Sequence, residues 1–361
     1  MREKIRKYRL LFVLSVWALV TVTINQFPYF IEHYYATGLY VFISRTLRFG
    51  LGWVPFSVGD ILYGAVIVFG LWQICRFVNA VFRKKISRQG FLHTGRKLSQ
   101  ALLIIYISFN WLWGFNYNRL GSAYQMDLSI ERYTTPQLVQ LTDSISAKLQ
   151  LLSAGSTAQR IYSDPKQTAI ESAKAYSVAA ARFPFLKHPG VSVKAEMLYN
   201  AGNYLGFLGY FNPFTSEAQL NTTIPKVLFP YVCCHEMAHQ LGYASESEAN
   251  FVGYLACKES KDAAFQYSVY FDLFSYAIND LYHRDSTSAL EKIKALPQKV
   301  KDDRKEVRIF FNSFRNPFNP IINWIYDKYL KLNSQPKGKE SYNEVVGWLI
   351  AYTQKYGWGQ L

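Results

Sequence analysis

The sequence predicts a mainly α protein: an N-terminal three-helix transmembrane region over residues 1–115, then a mostly helical domain with a small β element over residues 116–361. Three observations predict it. Apolar runs at 10–27, 61–82 and 98–115 each approach the ~20 residues that a bilayer core requires. Cations crowd around those runs and thin out after them. From Asn116 onward, apolar residues recur mostly every three to four positions, the period of a helix with one buried face.

The first run follows Arg2, Lys4, Arg6, Lys7 and Arg9, as a signal peptide would, but no small-residue cleavage site comes after it. It reads as an uncleaved anchor. Residues 28–59 are too broken by Gly and Pro for a further span, and Tyr34, Tyr35, Tyr40 and Trp53 suit a re-entrant or interfacial helix. A second basic stretch, with Arg76, Arg83, Lys84, Lys85, Arg88, Arg96 and Lys97, separates the second run from the third. Residues 1–115 hold 14 of the 40 Lys and Arg but only 3 of the 25 acids (Glu3, Glu32 and Asp60), so they carry +11 of the +15 net charge. The positive-inside rule puts both basic stretches in the cytoplasm and sends the chain out through the third run. The excess cations therefore predict a lipid bilayer as partner and no nucleic acid.

In the outer domain, Thr135 with Pro136 and Asp164 with Pro165 read as helix N-caps followed by proline at the first helical position. The segments "VSVKAEM", "FLGYF" and "EAQLNTT", punctuated by Gly202, Gly206, Gly209 and Pro213, read as short strands and turns. Helices resume near Ile224 and continue to the end, apart from a turn at "NSQPKGKES". Aromatic residues in "INWIYDKYLKL" fall at helical spacing, as core residues do.

The chemistry concentrates in "CCHEMAHQLGYASESEANF", residues 233–251, of a chain with 6 His. His235 and His239, four apart, project from one face of a helix and can share one Zn2+, with Glu236 placed beside the metal as a base. Gly242 can end that helix at positive φ. Ser245 and Glu248 fit an S-x-x-E capping box, which leaves Glu246 in the first turn of a second helix, free to face the metal. Two histidines and one carboxylate leave a zinc coordination position for water, as in a catalytic site. Tyr210, Tyr243 and His283 are candidate oxyanion donors, and "GYFNPFTSEAQLNTT" could supply an edge strand for an extended substrate.

The run Glu246-Ser247-Glu248-Ala249-Asn250 resembles the ExxA[DN] element of gluzincin-type metallopeptidases. That match implies Glu246 as third ligand and Asn250 as a partner orienting a ligand histidine. Only six residues separate His239 from Glu246, far fewer than in gluzincins, and the Gly242 offset is similar to the HExxHxxG of metzincins, so Glu248 stays open as an alternative ligand. Over nearly its full length the chain resembles an uncharacterised bacterial family of three-span membrane proteins carrying HExxHxxGxxxExEAN. The resemblance implies a zincin-like outer domain on the extracytoplasmic side of the bacterial inner (cytoplasmic) membrane, with the N-terminus cytoplasmic. The expected activity is that of a zinc metallopeptidase acting on a peptide or protein through Glu236. The competing expectation is a zinc-stabilised envelope scaffold or binding module without turnover.

Overall fold

A computed structural model describes residues 2–83, 87–154, 162–188, 190–197, 200–338 and 344–361. Lys84 and Lys85 of the second basic stretch, and the 339–341 end of the sequence-predicted turn, lie outside them. The fold is mainly helical with one small sheet.

Helix α1 (Arg2–Ile24) leads through a break into α2 (Pro28–Phe30), a π-helical stretch (Ile31–Leu39) and α3 (Tyr40–Leu51). Helices α4 (Val58–Phe82) and α5 (Arg88–Leu112) follow, and α5 packs along α1. Among the described residues one helix, α4, is long and apolar enough to cross a membrane, and Tyr8–Ile24 with Pro28–Leu51, bent by 93°, would make a second. The third expected span is shortened. Arg88, Arg96 and Lys97 occupy the start of α5, and the helix ends at Leu112, so its apolar stretch is 98–112 rather than 98–115. At ~1.5 Å per residue that is about 22 Å, less than a ~30 Å hydrocarbon core. Trp113 and Phe115, expected at the end of that span, are instead buried against Tyr35, Tyr40 and Ala244.

The segment 28–60 is fastened to the outer domain. The Glu32 carboxylate takes a bidentate pair of hydrogen bonds from Arg119 at 2.8 and 2.9 Å, both side chains being buried. From α3, Tyr40, Ser44 and Arg48 donate to the carbonyls of His239 and Gln240. Buried Glu217 accepts from the amides of Val58 and Gly59, capping the positive end of α4, and forms an ion pair with Lys194.

The outer domain builds its core from α7 (Thr135–Ala154), α8 (Pro165–Arg182), α10 (Phe229–Gln240), α11 (Glu246–Lys258), α12 (Ala263–Arg284) and α16 (Val345–Tyr356). Every residue of α10 except His235 is buried, as is α11 from Glu246 to Cys257. A helix enclosed on all sides has no solvent-facing side to supply, so the polar residues that these two helices do carry, Glu236, Gln240, Glu246, Glu248 and Asn250, are themselves buried. The α8 cap at Asp164 forms as expected, accepting from the amides of Lys166 and Gln167. At α7 the cap is one residue earlier than expected: Thr134 and Gln137 exchange bonds as a capping box, and Thr135 is the first helical residue.

The three expected strand segments form β1 (Val193–Ala195), β2 (Gly209–Asn212) and β3 (Glu217–Leu220), in the order β1-β3-β2. β1 runs parallel to the central β3, and β2 antiparallel with Gly209 opposite Leu220. This leaves one side of β2 unpaired within the sheet. Near the C-terminus, α14 (Gln298–Ser313) packs on the core through Val300, Val307 and Phe310, and α15 (Asn319–Leu332) lies outside it. The expectation that the aromatic residues of "INWIYDKYLKL" are core is overturned: Trp324, Ile321 and Ile325 are exposed, because they occupy the outer face of α15.

Candidate functional site

Helix α10 begins with Pro230 near its start and ends at Gly242, whose φ of 89° is the left-handed value that stops the helix. A side chain at Gly242 would meet the Tyr40 ring and Asn116. The turn brings α11 back against α10, so the start of one helix faces the histidines of the other. Ser245 holds the N-cap position, but its hydroxyl caps nothing, and the amide of Glu246 donates to Gln335 at 3.2 Å instead.

His235, His239 and Glu246 converge. One ligand atom from each lies within 4.8 Å of the others, and the Glu246 Oε2 is 3.2 Å from His235 Nε2 and 3.7 Å from His239 Nε2. A tetrahedron with bonds of ~2.0 Å has edges of about 3.3 Å, so these separations suit a common metal ion. The donor set, two imidazoles and one carboxylate, is one that zinc and similar transition metals take. His239 Nδ1 lies 2.7 Å from the Tyr243 carbonyl, which can only accept, so Nδ1 carries the proton and Nε2 faces the cluster. Burial lowers the basicity of His239, but the adjoining Glu246 carboxylate outweighs it and brings its pKa up to about 9. Burial works against the Glu246 charge too, yet the imidazoles of His235 and His239 beside it hold it well below the usual carboxylate range. A metal ion held by these atoms would displace the proton on His239 Nε2.

Glu236, next to the first histidine, is buried, and its Oε2 has no hydrogen-bond partner. Burial, more than the opposing pull of His235 and His239, pushes its carboxyl up to about 7. Gly209 of β2 lies against it: an added Cβ there would approach Glu236 to 3.0 Å and the Gln219 carbonyl to 2.8 Å. Glu236 and the cluster line a cleft of about 720 Å³, together with Gly209 and Tyr210 of β2.

Glu248, the alternative ligand, is directed elsewhere. Its carboxylate accepts from the amide and hydroxyl of Ser122 and lies near Arg119, so it neither joins the cluster nor closes a capping box on Ser245. The backbone explains the choice: Gly121, at φ 71°, leaves no side chain where the carboxylate sits. Asn250 lines the cleft one turn beyond Glu246. Its side chain meets Tyr276 and not a histidine, and its Nδ2 is otherwise unpaired.

Of the three oxyanion candidates, Tyr210 alone lines the cleft. Tyr243 is buried behind the site, donating to Gln125 at 2.8 Å with Arg119 over its ring, and His283 is exposed at the far end of α12. The cleft also contains residues that sequence reasoning missed. Tyr326 of α15 donates to Glu246 Oε1 at 3.1 Å. Asp272 and Tyr276 of α12 line the cleft opposite β2, Asp272 having its pKa raised to about 6 by burial against the pull of His235. No local motif marks these positions; only their spacing along α12, four residues apart on one helix face, could have paired Asp272 with Tyr276.

A family model covers residues 35–350, a stretch that includes the whole cleft. The chain belongs to the DUF3810 family. Its description is "Protein of unknown function (DUF3810)", in keeping with the uncharacterised family that the sequence resembles. The DUF3810 stretch begins inside the π-helical segment, so the α3 contacts to α10 fall within it while α1 precedes it. Comparison with curated proteins and with solved structures returned no match.

Proposed function

We propose that the protein is a membrane-anchored, zinc-dependent hydrolase, a metallopeptidase working on the extracytoplasmic side. The observation that carries this reading is the convergence of His235, His239 and Glu246 next to a buried, unpartnered Glu236 in a cleft edged by β2. His235, His239 and Glu246 would hold the ion. When bound, zinc supplies an acidified water and a polarised scissile carbonyl. Glu236, beside the ion, would take a proton from the attacking water on its unpartnered Oε2 and pass it to the leaving amine. The unpaired side of β2 can align an extended peptide across the cleft, and Tyr210 is the oxyanion candidate with access to it.

The proposed topology has three spans, α1 and α5, which pack together, and α4, with the N-terminus cytoplasmic and the outer domain on the opposite side. It rests on the +11 charge of residues 1–115 and on the fully exposed apolar surface of α4.

The test is metal content and peptide hydrolysis of the full-length protein and of two variants. About one zinc per chain, lost in His239→Ala, with hydrolysis lost in Glu236→Gln but zinc kept, supports the reading. Zinc without hydrolysis of any peptide would favour a zinc-stabilised scaffold, and no zinc at all would overturn both.

A further inference from the structure

Helix α15 is two-faced. Ile322, Tyr326 and Leu330 turn inward, Tyr326 reaching Glu246. Ile321, Trp324, Ile325, Lys328 and Leu332 fall on the other side at helical spacing. That outer side is open: Trp324 is 61% exposed and Leu332 85%, and Phe318 just before the helix is 67% exposed. The Lys328 ammonium lies 6.0 Å from the centre of the Trp324 ring. Lys328 falls among these residues, and Lys331, at the margin of the face, pairs with Asp327 at 2.8 Å. An apolar and aromatic face whose lysine can extend its ammonium past the rings to water is the composition of a helix lying in a membrane surface.

The position of α15 says what covers this face. The Tyr329 hydroxyl meets that of Tyr117 at 3.1 Å, and Tyr117 belongs to the turn directly after α5. Tyr329 also lies near Tyr63 of α4. So α15 rests across the outer ends of α4 and α5, where the apolar helices meet the outer domain. The cleft follows the same path: Tyr63 and Ile67 of α4 line it opposite Tyr326 and Tyr329. Ile67 is nine residues into α4, about 14 Å along its axis at ~1.5 Å per residue.

We infer that the outer face of α15 lies in the headgroup region of the extracytoplasmic leaflet, and that the cleft between α15 and α4 opens sideways onto that leaflet. Lipid covers Trp324 and its neighbours, while Lys328 reaches the phosphates. The substrate class that fits such an entrance is a peptide segment held at the membrane surface, rather than one diffusing from bulk solvent. The inference rests on the proposed topology.

The experiment places a spin label at single cysteines in the full-length protein, reconstituted in phosphatidylcholine–phosphatidylglycerol vesicles. Cys75, the one exposed thiol, is first replaced by Ala; Cys233, Cys234 and Cys257 are buried. Labels go on Ile325 of α15, Ile67 of the cleft wall, Val68 on the open surface of α4, and Lys174 on the exposed side of α8. Relaxation by dissolved oxygen is compared with relaxation by a water-soluble nickel chelate. The expected result is an oxygen-to-nickel ratio at Ile325 and Ile67 several-fold above that at Lys174 and closer to that at Val68. A lipid-like Val68 with a water-like Ile325 overturns the placement of α15. A lipid-like Ile325 with a water-like Ile67 overturns the sideways opening. A water-like Val68 removes the topology itself and both inferences with it.

Discussion

Glu246 and Glu248 stand two residues apart on α11 and should answer the same substitution in different observables. In Glu248→Gln, the two hydrogen bonds from Ser122 survive on a neutral oxygen. A bond to a charged group contributes about 1.5–3 kcal/mol and a neutral one about 1, so two such changes come to about 1–4 kcal/mol. Burial already opposes the Glu248 charge, with Arg119 pulling the other way, which puts the cost in the lower half of that range. About 1–2 kcal/mol lowers the melting temperature by roughly 2–8 °C in a domain the size of residues 116–361, with zinc affinity unchanged. In Glu246→Gln, the oxygen that approaches both imidazoles loses its charge. Removing a mere supporting group of a metal ligand costs ~10–100-fold in affinity, so losing a ligand should weaken zinc by at least ~100-fold. The assays are zinc titration against a competing chelator and thermal unfolding with zinc removed. If Glu248→Gln lost the metal and Glu246→Gln kept it, the geometry above would be assigned to the wrong carboxylate.

Glu236→Gln should keep zinc and lose ~10²–10⁴-fold in kcat, the usual scale of a general base; hydrolysis within a factor of about two of wild type would remove Glu236 from the chemistry. Gly209→Ala should also cut hydrolysis at unchanged zinc content, because its Cβ would press on Glu236 at 3.0 Å. For Gly121→Ala, a left-handed φ of 71° adds ~1–2 kcal/mol of strain, and displacing Glu248 from Ser122 adds a similar amount. A loss of about 2–4 kcal/mol in chemical denaturation is expected, and a change within experimental error would mean that Glu248 does not sit where it is described. Glu196, buried beside Asp60, has its pKa raised to about 7, chiefly by burial. A carboxyl with a raised folded pKa contributes stability below its ordinary value of 4.5 and loses it as pH rises through 7. Glu196→Gln should therefore be more stable than wild type at pH 8, with the gap closing towards pH 5; urea titrations at the two pH values check the sign.

What could be read along the chain was what neighbours along the chain decide. The α10 helix, its stop at Gly242 and the three short strands follow from local spacing and turn residues, and Glu246 follows from one turn of helix. The capping box did not, because the partner of Glu248 is Ser122, 126 residues upstream. Nothing near Ser245 distinguishes a carboxylate that caps from one that leaves. Asp272, Tyr276 and Tyr326 reach the cleft by tertiary packing of α12 and α15, which no window of sequence contains. Hydropathy and helical spacing alone do not separate a buried face from an exposed apolar one, so the outer face of α15 reads as core although Trp324, Ile325 and Leu332 are exposed. In the same way Leu98 to Phe115 reads as one apolar run, although its last residues turn inward to pack on Tyr35 and Tyr40.

The three donors from α3 to the end of α10 bear on how the cleft can be handled in the laboratory. A shortened chain beginning at Asn116 would carry the whole HExxH segment and would look like a convenient water-soluble domain. It would also lack Tyr40, Ser44 and Arg48, leaving the carbonyl of Gln240 without these donors beside His239. Trp113 and Phe115 would be gone as well, and with Trp113 the ring that lies 4.4 Å from Phe211 and 6.1 Å from His239. Weak metal binding by such a fragment would therefore report the amputation rather than the native centre. Biochemistry on this cleft belongs in detergent or lipid, with residues from Pro28 onward in place.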